Sequence, residues 1–254
     1  MFSLSGRNAI VVGTKRIGSL VAHRMAQEGI NLAIVYRSSR DEAEELRASV
    51  AKLTAKACVV QGDLTIEEDA KRLVARTIKE LGSISFVVNL ASDFPRTPFD
   101  ALDGEAWDRG MATAKGTYLL AVNAARAMMQ NAPPTRGHML FFGDWAAGET
   151  PYRDYLPYLT GKAAVHSLTK TFAAELAERG ILVNAIAPGP MMRPDSMSEE
   201  EWARHLAART PLKRESSPDE IAELVIALLK SETITGEIIR VDAGRHILGT
   251  GTIG

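Results

Sequence analysis

Residues 11–22, VVGTKRIGSLVA, lead from a short apolar run of the β type into a helical pattern through a turn bounded by Gly13 and Gly18. The helix is expected to begin near Ile17, where free backbone amides can bind a pyrophosphate, as in the first turn of dinucleotide-binding α/β domains. The usual fingerprint, G-x-G-x-x-G, has three glycines, whereas here Arg16 lies between two. An ordinary β–α turn also favours glycine, so these residues alone leave both interpretations open.

The composition of the chain narrows the class of protein. It has 254 residues, with 30 Lys and Arg against 31 Asp and Glu, and so lacks the basic excess of a nucleic-acid-binding surface. Cys58 is the only cysteine, so no disulfide can form within the chain. The first residues do not have the pattern of a signal peptide, and no stretch approaches the ~20 apolar residues of a membrane span. We therefore predict a cytoplasmic protein that binds neither nucleic acid nor membrane.

Short runs rich in Val, Ile and Leu alternate with amphipathic helical patterns along the chain. Continuous apolar runs are typical of parallel strands covered on both faces, and their alternation with helices predicts right-handed crossovers. The sequence therefore predicts the α/β class: a Rossmann-type, doubly wound parallel sheet of seven strands with helices on both faces, in a single domain over residues 1–254. The predicted strands are 8–13, 32–36, 57–61, 86–91, 138–143, 181–187 and 237–241, and the predicted helices are 17–28, 39–53, 66–80, 116–130, 157–178 and 218–229.

Two capping signals and one long connection complete the predicted layout. Thr65 and Glu68 have the spacing of a capping box, and Ser217 before Pro218 indicates another helix N-terminus. Residues 189–211 follow the end of a strand and contain the helical segment MSEEEWARHLA. We predict that they form a substrate lid, with a plain surface excursion as the alternative.

The residues after the second predicted strand bear on which dinucleotide the glycine turn would hold. NAD sites usually place Asp or Glu there, about 20 residues after the turn, to bond the ribose 2′-hydroxyl. Here Arg37 and Ser38 occupy that place, and both side chains suit a 2′-phosphate. Lys15 and Arg16, in the turn, would approach the same phosphate from the other side. Arg37 and Arg40, each taken alone, are better explained as solvated loop charges, but together with the turn they favour NADP(H).

Two further strand ends supply candidate cofactor contacts. Asp63 is expected to accept a hydrogen bond from the adenine amino group, with Leu64 against the adenine ring; an ordinary strand-end Asp is the alternative. Asn89 and Ala91 lie at the end of the fourth predicted strand, where backbone and small side chains pass beside the cofactor.

Tyr158 and Lys162 are four residues apart in a predicted helix, so their side chains lie on one face. A phenol, with a pKa near 10, is a poor proton donor at neutral pH. An ammonium about 4 Å away is worth roughly 4 kcal/mol at an effective dielectric of about 20, enough to lower that pKa into a working range. We therefore predict that Tyr158 is a general acid activated by Lys162. An exposed Tyr/Lys pair is the alternative.

Taken in order, these features resemble the short-chain dehydrogenase/reductase family over essentially the whole chain. The segments KRIG, YRSS, NLASDFPRTPF and DWAAGETPY are most similar to its pteridine-reductase-like branch. The motifs that carry the family resemblance are the glycine turn, DL at 63–64, NLAS at 89–92, Y-x-x-x-K at 158–162, NAIAPGP at 184–190 and ITGEIIRVDAGR at 234–245.

The resemblance implies roles for further residues. That branch commonly has Asp in place of the family's catalytic Ser, and Asp144 matches this position, where it would orient the substrate or donate a hydrogen bond if protonated. Capping of the WAAG turn is the structural alternative for Asp144. Pro188 and Gly189 would line the nicotinamide, and Lys162 would also bond the nicotinamide ribose. The candidates for a flat apolar substrate pocket are Phe94, Trp145, Tyr152 and Met191.

The chain also departs from the family pattern. Its glycine turn is one residue short, and Leu90 replaces the second Asn of N-N-A-G. The segment 111–116 lacks the Asn that holds a water beside the family's Lys, and Thr113 or the backbone is expected to substitute for it. Asp144 lies one residue farther from the tyrosine than usual.

We predict an NADPH-dependent oxidoreductase that reduces a carbonyl or pteridine-like C=N substrate by hydride transfer. A 3-ketoacyl carrier-protein reductase-like enzyme shares every cofactor residue and is one alternative; an NADP(H)-binding sensor or scaffold with weakened chemistry is another. The expected partners are a small-molecule substrate and further copies of the same chain, in a tetramer or dimer, because the family is commonly tetrameric.

Overall fold

A seven-stranded parallel sheet forms the centre of the protein. The computed structural model describes residues 2–191, 193 and 197–248. The strands are β1 Asn8–Val12, β2 Asn31–Tyr36, β3 Ala57–Gln61, β4 Phe86–Asn89, β5 Gly137–Phe142, β6 Ile181–Pro188 and β7 Ile238–Val241. Their order across the sheet is β3-β2-β1-β4-β5-β6-β7, and each neighbouring pair is parallel. The predicted doubly wound sheet is confirmed, with its switch in winding between β1 and β4.

Helices cover both faces of the sheet. They are α1 Ile17–Gln27, α2 Arg40–Val50, α3 Glu67–Leu81, α4 Gly104–Met128, α5 Leu156–Leu176, α6 Glu199–Arg209 and α7 Pro218–Lys230, with 3-10 helices at Phe99–Ala101, Ala177–Arg179 and Arg245–Leu248. Alternate residues of β1 point to the helix layers on the two faces of the sheet. Val11 shares one core with Met25 of α1 and Val225 of α7, whereas Ile10 shares the other with Leu120 of α4. In the described part of the chain, no helix is both long and apolar enough to cross a membrane.

The helix α4 begins much earlier than the predicted residue 116. Its start is fixed by Asp103, whose carboxylate accepts a hydrogen bond from the Ala106 amide at 2.7 Å. The first turns of α4 bury small residues, among them Gly110 and Ala114, rather than large apolar side chains. Because the helical pattern of large apolar residues is missing there, periodicity alone does not detect this part of the helix.

The two predicted capping signals have different outcomes. Ser217 caps α7 as predicted, since its hydroxyl accepts a hydrogen bond from the Glu220 amide at 3.3 Å. The predicted capping box of Thr65 is wrong, because α3 begins at Glu67 and has no side-chain cap. The Thr65 hydroxyl and amide instead both donate to Asp63 Oδ1, at 2.7 and 2.9 Å. A carboxylate two residues away thus competes for the hydroxyl that the capping box requires.

A fully buried histidine lies on β5. The ring of His138 packs between Phe2 and Phe86, with centroid distances of 5.3 and 5.8 Å. Neither ring nitrogen has a hydrogen-bond partner among the described residues. Burial, together with the charge of Arg7, lowers the pKa of His138 from 6.5 to about 4. The imidazole is therefore neutral in the folded protein at neutral pH.

This burial predicts an acid-sensitive stability. The folded-state pKa of His138 is below the unfolded value, so the contribution to stability is complete above pH 6.5 and is lost as the pH falls to about 4. The shift corresponds to about 3 kcal/mol. Between pH 7 and pH 4, we expect the wild-type free energy of unfolding to fall by about 3 kcal/mol more than that of His138→Phe, measured by urea denaturation.

The control is His23→Gln, since both ring nitrogens of His23 already have hydrogen-bond partners, at 2.8 and 2.7 Å. This variant should keep the wild-type pH dependence. Identical pH slopes for the wild type and His138→Phe would contradict the prediction.

Candidate active site

The glycine turn lies at the carboxyl end of β1, beside the switch in strand order. Gly13 has φ +81°, and a Cβ there would lie 2.5 Å from the Ala91 amide nitrogen. A Cβ on Gly18 would lie 1.9 Å from the Gly13 carbonyl oxygen. Both glycines are therefore required by the close approach of backbone to backbone. The turn packs directly against the end of β4, which brings the two predicted cofactor segments together.

The turn has donors for an anionic group. Among the described residues, no group accepts a hydrogen bond from the backbone amides of Thr14, Lys15 or Arg16. These amides precede α1, so they stand where a helix N-terminus attracts a phosphate. Arg16 is the N-cap of α1 and has φ +53°, a backbone conformation that residues other than glycine rarely adopt. The shortened turn thus fits the pyrophosphate of a dinucleotide.

The side chains predicted to clamp a 2′-phosphate are exposed around the end of β2. Arg37 and Ser38 are exposed, and neither side chain has a partner within the described chain. Lys15 instead forms an ion pair with Glu42 at 3.0 Å, in which both side chains are mostly exposed. Such a pair contributes little to stability and can rearrange when a ligand competes for the lysine.

Asp63 and Leu64 lie beside this region, after β3. The hydrogen bonds from Thr65 lower the pKa of Asp63, with the charge of Arg37 as a smaller cause, so the carboxylate is ionised. Its Oδ2 has no partner in the described part of the chain and can accept a further hydrogen bond. Leu64 is partly buried and packs against α4, where a Cβ on Gly116 would come within 2.9 Å of it.

Asn89 joins the end of β4 to α4. Its Nδ2 donates to Thr117 Oγ1 at 3.0 Å, and the Thr117 hydroxyl donates to the Thr113 carbonyl at 2.8 Å. Its Oδ1 accepts from the Ala91 amide at 3.2 Å. The side chain of Asn89 therefore holds the strand end in place, since both of its polar atoms have partners within the protein.

Asp144 is buried immediately after β5 and accepts three side-chain or backbone donors. Its Oδ1 accepts from the Ala146 amide at 2.9 Å, so it caps the WAAG turn. Its Oδ2 accepts from the Tyr158 hydroxyl at 2.8 Å and from the Tyr152 hydroxyl at 3.3 Å. One oxygen of Asp144 therefore caps the turn and the other accepts from the phenols, while its predicted role toward the substrate stays a prediction. Burial raises the pKa of the Asp144 carboxyl, although the hydrogen bonds oppose this.

Lys162 is almost completely buried on α5, and its ammonium donates to the Phe142 carbonyl at 2.7 Å. Burial lowers the pKa of Lys162 to about 8, although the carboxylate of Asp144 opposes the shift. The sequence leaves Thr113 or the backbone as the relay substitute, and the group that binds this lysine is a backbone carbonyl at the end of β5.

The predicted lowering of the Tyr158 pKa by Lys162 does not hold in this geometry. Burial raises the pKa of Tyr158, and the negative charge of Asp144 raises it further. The ammonium of Lys162 is 5.9 Å from the centroid of the phenol ring and points at a carbonyl instead. Tyr158 is thus a protonated phenol held by a carboxylate, the form in which it can donate a proton.

An aromatic cluster covers this carboxylate. Phe94 stacks on Tyr155 with a centroid distance of 4.4 Å and meets Tyr158 edge-on at 4.8 Å. Trp145 stacks on Tyr152 at 6.2 Å. Three of the four predicted pocket residues are therefore brought together. Tyr155, a further member, carries no sequence motif, and only the fold places it here.

Met191 and the segment before it lie on another side of the site. Met191 packs against the core on the α1 and α7 face of the sheet rather than against the aromatic cluster. The Pro188 carbonyl accepts from the Trp145 amide at 3.2 Å, and the Gly189 amide donates to the Val241 carbonyl at 2.9 Å. Residues 188–189 thus join β6 to both β7 and the turn after β5. In the predicted lid 189–211, helix α6 carries a complete capping box, and residues 192 and 194–196 lie outside the described residues.

One ion pair ties the two aromatic loops to each other. Arg96 donates to Asp154 Oδ2 at 2.6 Å, and the Thr97 amide donates to the Asp154 carbonyl, also at 2.6 Å. The first of these loops carries Phe94, and the second carries Tyr152. The extra residue between Asp144 and Tyr158 therefore lies in a loop that is held in place at Tyr152 and Asp154.

Comparisons with known proteins agree with this geometry. A family model described as enoyl-(acyl carrier protein) reductase matches residues 11–246. The chain belongs to the short-chain dehydrogenase/reductase family. The glucose 1-dehydrogenase of Gluconobacter oxydans is 30% identical over 253 residues, which cover 96% of this chain and 94% of that protein. The 3-oxoacyl-(acyl-carrier-protein) reductase FabG of Staphylococcus epidermidis is 28% identical over 246 residues, covering 95% and 99%.

A solved structure of the same family is also similar. The FolM alternative dihydrofolate reductase 1 of Brucella canis, complexed with NADP, has a TM-score of 0.86 and 31% identity, covering 97% of this chain and 96% of that one. As a short-chain dehydrogenase/reductase, this chain is an oxidoreductase that binds a nicotinamide cofactor. The free amides of the glycine turn and the buried Tyr158 and Lys162 fit that cofactor and its chemistry.

Close packing of α4 on α5 sets the position of Tyr158 and Lys162. A Cβ on Gly161, between these two residues, would lie 2.1 Å from the Gly110 carbonyl oxygen. A Cβ on Gly110 would in turn lie 2.5 Å from Pro157. Two glycines thus allow the helices to touch through their backbones.

We expect Gly161→Ala to destabilise the protein by about 1–3 kcal/mol, because the added methyl forces the helices apart. An exposed helical glycine would behave oppositely, since alanine is the better helix former by roughly 0.5–1 kcal/mol. Gly104→Ala, at the start of α4 with no atom within 4 Å of its added Cβ, is the matched control. Urea denaturation measures both, and stabilisation by Gly161→Ala would contradict the close packing.

Proposed function

We propose that this short-chain dehydrogenase/reductase is an NADPH-dependent reductase of a carbonyl or pteridine-like C=N substrate. The observation that carries the proposal is the hydrogen bond from Tyr158 to Asp144 Oδ2 at 2.8 Å, beside the buried ammonium of Lys162. A bound nicotinamide would supply a hydride to the substrate carbon. Tyr158 would supply the proton to the substrate oxygen or nitrogen, so that one hydride and one proton together saturate the double bond.

The residues around Tyr158 determine how the phenolate formed by proton transfer is stabilised and then reprotonated. When the phenol gives up its proton, the adjacent positive charge of Lys162 stabilises the phenolate. The Phe142 carbonyl holds the ammonium of Lys162 on this side of α5, and Lys162 would bind the cofactor ribose when the cofactor is present. A proton from solvent then restores the phenol for the next turnover.

Asp144 favours a substrate that carries an N–H group. An ionised carboxylate repels a developing oxyanion but accepts a hydrogen bond from an N–H, as a pterin-like amidine provides. Its oxygen Oδ2 already accepts from two hydroxyl donors, so the site is arranged around an acceptor. The similarity to a dihydrofolate reductase structure also supports this class of substrate.

Two other functions make different predictions for the same protein. A 3-ketoacyl carrier-protein reductase would prefer ketoacyl thioesters, as the similarity to FabG suggests. A sensor or scaffold would bind NADPH tightly without turnover. Loss of nicotinamide absorbance on a panel of dihydropterins, ketoacyl thioesters, diketones and quinones distinguishes the three.

The exposed arginine after β2 predicts the choice of coenzyme. We expect the wild type to bind NADPH more tightly than NADH, and Arg37→Asp to reverse this preference by removing a charge-assisted bond and adding repulsion. The expected loss of NADPH affinity is about tenfold to a hundredfold, measured by fluorescence titration. Arg76→Asp, on the exposed face of α3, is the control and should leave both affinities unchanged. Equal affinity of the wild type for the two coenzymes would contradict the proposed specificity.

The proton donor is tested by removing one hydroxyl. Tyr158→Phe should lower kcat by about 10²–10⁴ while NADPH still binds, because only proton transfer is lost. Tyr155→Phe is a matched control from the same aromatic cluster, since the Tyr155 hydroxyl has no hydrogen-bond partner among the described residues. It should retain wild-type kcat. Turnover by Tyr158→Phe at the wild-type rate would show that another group donates the proton.

A further inference from the structure

Arg245 is an unpaired cation beside the catalytic carboxylate. It begins the 3-10 helix after β7, is half-buried, and has its guanidinium carbon 4.5 Å from the ring centroid of Trp145. Trp145 directly follows Asp144 in the chain and stacks on Tyr152, which donates to Asp144. Aromatic side chains therefore separate the Arg245 guanidinium from the Asp144 carboxylate, which accepts the hydrogen bond of Tyr158.

The carboxylates nearest to Arg245 are engaged elsewhere. Asp242 accepts from the amides of Gly244 and His246 at 3.0 and 2.8 Å, and from His246 Nδ1 at 2.8 Å. The two oxygens of Asp144 are occupied by the Ala146 amide and the tyrosine hydroxyls. Within the described residues, Arg245 makes no ion pair.

Other partly buried arginines of the chain have an acceptor: Arg7 and Arg136 donate to the backbone carbonyls of Ser3 and Met129, and others form ion pairs. Arg24 pairs with Glu28 at 2.8 Å and with Glu223, and Arg240 pairs with Glu149 at 2.5 Å. Their guanidinium groups have a structural partner that accounts for their burial. Arg245 differs in that its guanidinium stacks on a ring and has no hydrogen-bond or ion-pair acceptor among the described residues.

A second cationic group lies on α6, in the segment predicted as a lid. Arg209 approaches the ring of His205, with its Nη1 2.6 Å from Nδ1. Both line a cavity of about 620 Å³ together with Arg204. The one carboxylate in that lining belongs to Glu201, which accepts from the Ser198 amide at 2.8 Å in the capping box.

Arg245 and the charged residues of α6 influence each other electrostatically. Burial lowers the pKa of Arg245, and the positive charge of Arg209 lowers it further. Burial lowers the pKa of His205 as well, together with the charges of both arginines. The charges of Asp144 and Asp242 oppose the effect of Arg209, but neither carboxylate forms an ion pair with Arg245, so an anion at its guanidinium would gain a direct partner.

The stacking of Arg245 leaves its binding edge free. A guanidinium that lies on an aromatic face directs its N–H groups outward in the ring plane, where they match the two oxygens of a carboxylate or phosphate. The indole of Trp145 fixes the orientation of this fork before any ligand arrives, which reduces the entropy lost on binding.

We infer that the substrate carries an anionic group, a carboxylate or a phosphate, which Arg245 and Arg209 bind while the reducible double bond faces Tyr158. The inference rests on the proposed reductase function and adds the class of substrate.

The wild type alone gives the first test. The probes are two matched pairs, 4-oxopentanoate with its methyl ester, and dihydroxyacetone phosphate with dihydroxyacetone, each assayed with NADPH at low and high salt. We expect the anionic member of one pair to have a kcat/KM about tenfold or more above its neutral partner, with the ratio falling at high salt. The pair that shows the preference identifies carboxylate or phosphate.

The outcomes separate this inference from the proposed function. Reduction of the neutral probes as well as or better than the anionic ones would overturn the anion site while the reductase stands. No reduction of any probe or of the wider panel, in a protein that binds NADPH, would overturn the reductase and with it the anion site.

Substitution assigns the effect to the arginine. Arg245→Gln should lower the preference for the anionic probe by about tenfold to a hundredfold, through KM rather than kcat, and Arg245→Lys should recover part of it. Arg179→Gln, at the amino end of the sheet, is the control and should leave the preference unchanged. Equal losses for both members of a pair would show that Arg245 only supports Trp145. If Arg245→Gln does not fold, Arg209→Gln and the wild-type salt dependence decide.

Discussion

Burial of the Asp144 carboxylate ties together the strand, the turn and the helix of the active site. Oδ1 binds the amide of the turn that follows β5, at 2.9 Å, and Oδ2 binds the phenol of α5, at 2.8 Å. A second phenol, from Tyr152, anchors the intervening loop to the same oxygen. Because a buried carboxylate is costly unless its oxygens are hydrogen-bonded, each of these partners is held by the need to satisfy it.

The same burial constrains the protons of the site. It raises the pKa values of Asp144 and Tyr158 and lowers that of Lys162, so all three shifts favour the neutral forms. When Tyr158 loses its proton, the phenolate is opposed by Asp144 and supported by Lys162. The transfer is easiest if Asp144 gains a donor at the same moment, either a proton or an N–H group of the substrate. This coupling is the physical basis on which we propose a pterin-like substrate.

The sequence predicts those parts of the protein that depend on local pattern. Apolar runs define the strands, and a spacing of four residues places Tyr158 and Lys162 on one helical face, as the structure has them. What sequence alone does not reveal depends on contacts across the fold. The early turns of α4 are hidden because they pack through small residues, and Thr65 is drawn from its predicted cap by Asp63. Arg245 lies beside Trp145 only because the chain after β7 folds against the turn that follows β5.

The shortened glycine turn shows how one missing residue can be absorbed. The chain reverses in fewer residues by placing Arg16 at φ +53° and ψ −115°, a region that normally belongs to glycine. Such a conformation costs about 1–3 kcal/mol and persists only where the surroundings fix it. They do so here, because Gly18 is pressed on the Gly13 carbonyl and Gly13 on the backbone of Ala91. The strain leaves three consecutive amides pointing away from any protein acceptor within the described chain, so a phosphate would recover their hydrogen-bonding energy and stabilise the strained turn. Strain and free donors therefore occur together at one place, and we propose that the shorter turn is a different form of the same dinucleotide site rather than a damaged one.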